Sequence, residues 1–201
     1  MNRRRILVVI ALVALVAGTA SLVHAQNEAP KSSAGAASEA AKTGGKTSGQ
    51  TPEVLYDFNA LPDPVKRMLE QIAAAAQSGE IETMRPVFES NELKPMVAAA
   101  YVDDPIAYWK KQSADGTGRD VLAAMLNVMS AGYVRVGTGP DQMYVWPYFA
   151  ETDLGRLTPS QDVEFYRMVA PSLAVPMKKD GKYSYYRLGI SPAGVWHYFI
   201  Q

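Results

Sequence analysis

The chain has 201 residues, with 20 Lys and Arg against 20 Asp and Glu, and no cysteine. Without a thiol it has no disulfide staple, no thiolate nucleophile, no sulfur ligand for zinc and no attachment point for a lipoprotein lipid. Its balanced charge supplies no basic field to draw in nucleic acid or an anionic membrane surface.

The first elements in chain order are a leader and a linker. Arg3, Arg4 and Arg5 precede the uncharged apolar run Ile6 to Ala17, and Val23-His24-Ala25 offers a small-residue cleavage site. Charge, apolar run and small residues in that order predict a secretory signal peptide over 1–25, cleaved after Ala25. A spanning helix needs roughly 20 apolar residues, and this run gives way to Gly18, Thr19 and Ser21. The expected address is therefore the periplasm, with no stable membrane span after cleavage. Losing the leader removes three arginines and no acid, leaving 17 cations against 20 anions, a net of −3. Residues 26–52 contain no aromatic, Leu, Ile, Val or Met. Such a segment cannot offset its ordering entropy by burial and reads as a disordered linker.

All 19 aromatic residues lie beyond Pro52, which marks 53–201 as a single globular domain of 149 residues. Asp63-Pro64 predicts a helix start with Asp63 as cap, and Val65, Met68, Leu69, Ile72, Ala75 and Ala76 recur at helical spacing. Ser78-Gly79 stops that helix. A short second helix, EIETMRPVFES, should break or restart at Pro86. Asp104-Pro105 predicts the cap of a third helix. RDVLAAMLNVM carries an apolar stripe of Leu122, Met125, Leu126 and Met129.

The period then changes. GYVRVG and QMYVWPYF, joined by the TGPD turn, predict one hairpin. Thr158-Pro159, with Gln161 placed for a capping box, predicts one late helix. KYSYYRLGI and VWHYFI predict a second hairpin around Ser191-Pro192-Ala193-Gly194. The expected fold is α+β: N-terminal helices packed on a C-terminal antiparallel sheet of about four strands built from two hairpins. Strict alternation would set Val195, His197 and Phe199 against Trp196, Tyr198 and Ile200, and Tyr185, Arg187 and Gly189 against Tyr186, Leu188 and Ile190. Neither face is plainly polar, so either both are covered or one lines a pocket or partner surface.

The candidate pocket or binding surface is His197, Arg135, Arg187, Tyr144, Trp146, Tyr185 and Trp196. His197 is the only histidine after cleavage. It is too few for a multi-histidine metal site and would serve as a base only with a hydroxyl or carboxylate partner. Arg135 and Arg187 would hold a carboxylate or phosphate if both pointed into one cavity; otherwise each reaches solvent or an acid such as Asp141 or Glu164. The acids Asp103, Asp104, Asp153, Asp162 and Glu164 invite a paired-carboxylate reading, though capping and the helix dipole account for several of them. GTGRD and GTGPD read as turns, without a phosphate signature. No catalytic residue, metal site or cofactor is expected.

The blocks DPIAYWKK, AGYVRVG, MYVWPYFAE, LTPSQDVEFYR and GISPAGVWHYF resemble a family of exported proteobacterial proteins of unknown function. That resemblance spans most of residues 53–200. It implies export and one shared domain, and transfers no site residue. AAAAQSGEIETMRPVFES is similar to the opening helices of NTF2-like domains, which implies a cone-shaped α+β fold as an alternative. The expected function is a non-enzymatic periplasmic binding or interaction domain, its partner an unknown envelope protein or small molecule. The alternative is a small-molecule hydrolase or isomerase with a pocket against the aromatic sheet and His197 as base.

Overall fold

A computed structural model describes residues 52–201. The expected signal peptide, and the expected linker apart from Pro52, lie outside the described residues. Helix α1 (Asp63–Gln77) buries Val65, Met68, Leu69, Ile72, Ala75 and Ala76, the set that the spacing predicts. Its cap differs from expectation: Pro62 is the extended residue ahead of the helix. Asp63 is already helical and pairs with Lys66 one turn on, at 2.8 Å. A 3-10 turn, Ile81–Thr83, leads into α2 (Met84–Ser90). Pro86 falls in the first turn of α2, where no intrahelical N–H is needed, so it restarts the helix. In α3 (Pro105–Gln112) the Asp104 carboxylate accepts from the Ile106 and Ala107 N–H groups at 2.9 and 3.1 Å, as expected of its cap. Helix α4 (Arg119–Met129) buries Val121, Ala124 and Val128 besides Leu122, Met125 and Met129, a broader stripe than expected, with Leu126 half-buried.

Strands β1 (Val134–Val136), β2 (Met143–Trp146), β3 (Arg187–Ile190) and β4 (Trp196–Ile200) form one antiparallel sheet in the order β1-β2-β3-β4. The α+β expectation and its two hairpins are thereby met. Two helices, not one, separate the hairpins. The first, α5 (Pro159–Met168), has the expected capping box, with Thr158 and Gln161 each accepting the other's backbone N–H. The second, α6 (Pro171–Asp180), was not expected; no side chain caps it and Pro176 lies inside it. The strands span three to five residues, short for the sheet that an NTF2-like cone implies, and α5 and α6 intervene between its hairpins. Among the described residues no helix is long and apolar enough to cross a membrane.

Both faces of the sheet are covered. Tyr144, Trp146, Leu188, Ile190, Trp196 and Phe199 pack with α1 to α4 in the larger core. Val134 and Val145 pack on the other side with Tyr148, Phe149 and residues of α5 and α6. The alternation expected of β4 fails because the strand bulges. Leu188 faces Phe199 and Gly189 faces Tyr198, but Ile190 faces Trp196, leaving His197 as the extra residue. A bulge sets two residues against one and re-aims those beyond it, so Trp196 and Phe199 enter the same core.

The outer edge of β4 is also closed. The Asn91 side-chain amide takes the place of a neighbouring strand: it accepts from the Trp196 N–H at 2.9 Å and donates to the Trp196 carbonyl at 2.7 Å. Met96 continues the pairing through its backbone, donating to the His197 carbonyl at 2.8 Å and accepting from the Phe199 N–H at 2.9 Å. Asn91→Ala removes both bonds to Trp196 and the amide's donation to the Leu93 carbonyl. It is expected to cost about 1–3 kcal/mol, measured by urea unfolding against the parent; a change below about 0.5 kcal/mol would show that water replaces the amide without loss.

Candidate binding cleft

The aromatic sheet does not present the surface its composition suggested. Trp146 and Trp196 are wholly buried and Tyr144 nearly so. Trp196 stacks on Phe88 with centroids 5.1 Å apart and planes within 10°, and its indole N–H donates to the Tyr198 carbonyl at 3.0 Å. Tyr185 is half-buried beside both cores, edge-on to Tyr186 at 5.0 Å. These four residues hold the fold together and line no cleft.

Arg135 and Arg187 cannot share one anion. Val134 aligns through Val145 with Gly189 and Tyr198 across the sheet. Arg187 lies two residues from Gly189 and shares its face; Arg135 lies one residue from Val134 and takes the opposite face. Arg135 is exposed. Arg187 is half-buried near Glu151 and Tyr198, where burial raises the Glu151 carboxyl above its ordinary pKa and the Arg187 charge opposes the rise. His197, on the bulge, has its pKa lowered by burial, an effect the Glu92 carboxylate partly offsets. Its ring has no hydrogen-bond partner among the described residues, so neither an acid nor a hydroxyl is placed to make it a base.

Three of the other acids marked in the sequence are committed to structure. Asp153 accepts from the Gly155 N–H at 2.9 Å, and Asp162 pairs with Lys178. Glu164 accepts from the Tyr56 hydroxyl at 2.8 Å, the Tyr148 hydroxyl at 3.1 Å and the Gly132 N–H at 3.2 Å. Among the described residues no three His, Asp or Glu side chains gather as a metal site.

Burial raises the tyrosine pKa values around these cores. Tyr186 and Tyr198 are pushed up to about 12, and Tyr148 and Tyr183 are raised as well, burial again being the largest cause. A folded state that keeps a proton the unfolded chain has lost is penalised once pH passes the unfolded value. Stability should therefore be unaffected by these groups below about pH 10 and fall progressively towards pH 12. Urea midpoints measured across that range, with tyrosinate absorbance followed in parallel, check this; a flat midpoint would contradict it.

A cavity of useful size lies elsewhere. A cleft of about 430 Å³ opens between α2, the start of α3 and the segment 91–104, within the range of small-molecule and peptide sites. Phe88, Pro105 and Ile106 give it apolar surface, and Arg85, Glu89, Lys94, Asp103 and Asp104 surround them. Phe88 is braced from behind, since its ring also packs on Trp109 at 5.4 Å. Trp196 thus supports the cleft as a second layer. Sequence reasoning assigns none of these residues to a binding site; it marks Asp103 and Asp104 as candidate paired carboxylates and Asp104-Pro105 as a helix cap. The signal it could have used is the segment 91–104 itself: a long irregular stretch is often functional, and this one leaves Leu93, Met96 and Tyr101 exposed at 55%, 45% and 82%.

No family model, curated protein or solved structure matches the chain, and the two likenesses noted in the sequence gain no support from those comparisons.

Proposed function

We propose that the chain is a non-enzymatic binding or interaction domain of the periplasm, and that its ligand site is the α2–α3 cleft. The observation that carries this reading is the cleft's composition: a braced aromatic floor beside charged groups, in a volume that suits a small molecule or a short peptide segment. The leader sequence supports the address. The alternative, a hydrolase or isomerase with His197 as base, lacks supporting geometry: the His197 ring has no hydrogen-bond partner among the described residues and does not line the α2–α3 cleft. The mature chain, isotope-labelled, is to be titrated with a library of small fragments and short peptides. Amide shifts are expected to cluster at Phe88, Lys94 and Ile106. Shifts confined to the surface around Arg187 and Tyr198, or an absence of shifts from every compound, would refute it. N-terminal sequencing of exported protein tests the address, with Gln26 expected first.

A further inference from the structure

The charges around the cleft are not equally available, and this difference points to the chemistry of the ligand. Arg85 is already engaged: its Nε donates to Glu82 at 3.0 Å, and its terminal nitrogen sits 2.9 Å from Glu82 and 3.6 Å from Asp104. Lys94 donates to the Asp103 carbonyl at 2.7 Å and lies 5.7 Å from the centre of the Tyr101 ring. Asp104 is committed to capping α3. Glu89, by contrast, makes no hydrogen bond or ion pair among the described residues. The Asp103 side chain is 94% exposed, touched only by Lys94 at 3.8 Å and the Tyr101 hydroxyl at 3.4 Å. An anionic ligand would have to compete for cations that the protein already satisfies. A cationic ligand finds two carboxylates with little to give up.

The segment 91–104 that borders the cleft also carries exposed apolar side chains. Leu93, Met96 and Tyr101 stand exposed on the segment that also supplies Lys94 and Asp103. A small amine would leave that surface wet, whereas a chain with spaced apolar side chains would cover it. We propose that the cleft takes a basic, apolar peptide segment, with Lys or Arg directed to Glu89 and Asp103 and a neighbouring aliphatic or aromatic side chain on Phe88 and Ile106. This rests on the cleft being the ligand site. Each exposed ion pair contributes only about 0.2–1 kcal/mol, so the apolar contacts carry most of the affinity and the carboxylates select the sign of the partner.

The test is calorimetric titration of the mature chain with three peptides blocked at both ends: Lys-Leu-Lys-Phe-Lys, its Gln-for-Lys form and its Glu-for-Lys form. The basic peptide is expected to bind, more weakly as salt is added. The neutral form should bind about fivefold more weakly and the acidic form more weakly still. Glu89→Lys, at a position exposed and without a partner among the described residues, is expected to leave melting close to that of the parent and to weaken the basic peptide by about fivefold. Equal or tighter binding of the acidic peptide, or no response to both Glu89→Lys and Asp103→Asn, overturns the proposal. If none of the three peptides binds while fragments still shift Phe88 and Ile106, the basic-peptide inference fails and the cleft reading stands. If nothing shifts those residues, both fall.

Discussion

Trp196→Ala is expected to cost about 3–5 kcal/mol of unfolding free energy, a large share of the roughly 5–15 kcal/mol that holds a domain of this kind. The indole is fully buried. It lies between Phe88 of α2, Trp109 of α3 and the sheet, with ring centroids 5.1 and 6.4 Å away. Truncation removes the transfer energy of the ring and leaves a cavity that three separate elements would have to collapse together to fill. Trp196→Phe keeps most of the volume and apolar surface and should recover more than half of the loss. Urea unfolding of both variants decides this. If the alanine variant fails to fold, the phenylalanine variant still reports, because its loss should exceed about 0.5 kcal/mol and stay below about 2.5 kcal/mol. A Trp196→Ala protein within about 1 kcal/mol of the parent would mean that α2 and α3 are not held to the sheet through this ring.

The second large effect is expected at Gly194, in the turn between β3 and β4. Its φ is +84°, in the left-handed region, and a methyl group there would lie 2.6 Å from the Pro64 carbonyl oxygen. Alanine therefore meets two penalties: about 1–2 kcal/mol for the backbone conformation and about 1–3 kcal/mol for pushing α1 away from the turn. Neither is relieved by a rotamer change, because the nearest obstructing atoms are backbone. Gly194→Ala should lower stability by about 2–5 kcal/mol. Gly139, with φ +59° and nothing within 4 Å of where a methyl group would stand, serves as the control: Gly139→Ala should show the conformational part alone. Equal losses at the two sites would show that the contact with Pro64 is unimportant.

The parts of the fold legible in the sequence were those decided by neighbours in the chain. Asp104-Pro105 and Thr158-Pro159 with Gln161 carry their own capping chemistry, and α1 shows its buried face as a regular stripe. Helix α6 has neither signal. Ala170 provides no cap, Leu173 and Val175 are exposed, and only Ala174 and Met177 are buried, so no apolar period marks it. The faces of β4 were misassigned because a bulge is set by pairing with β3, which alternation along one strand does not encode. The cleft was invisible for the same reason at larger scale: Phe88, Lys94 and Ile106 belong to three segments that meet only after packing. The aromatic richness of the strands drew attention to the sheet, where the rings serve the interior. The carboxylates with spare capacity, Glu89 and Asp103, could be recognised only once the partners of Arg85 and Lys94 were known.

The amide of Asn91 has a consequence beyond holding a loop in place. A bare strand margin is a template on which a second molecule can zip its own backbone, and here a single side chain occupies the two main-chain groups of Trp196 that would start such growth. Without Asn91, copies of the protein gain a means of joining margin to margin, and the defect would deepen with concentration, as sedimentation of the Asn91→Ala protein at rising loading would reveal. The Asn91 carboxamide and the Met96 backbone beside it together keep this margin of the sheet occupied.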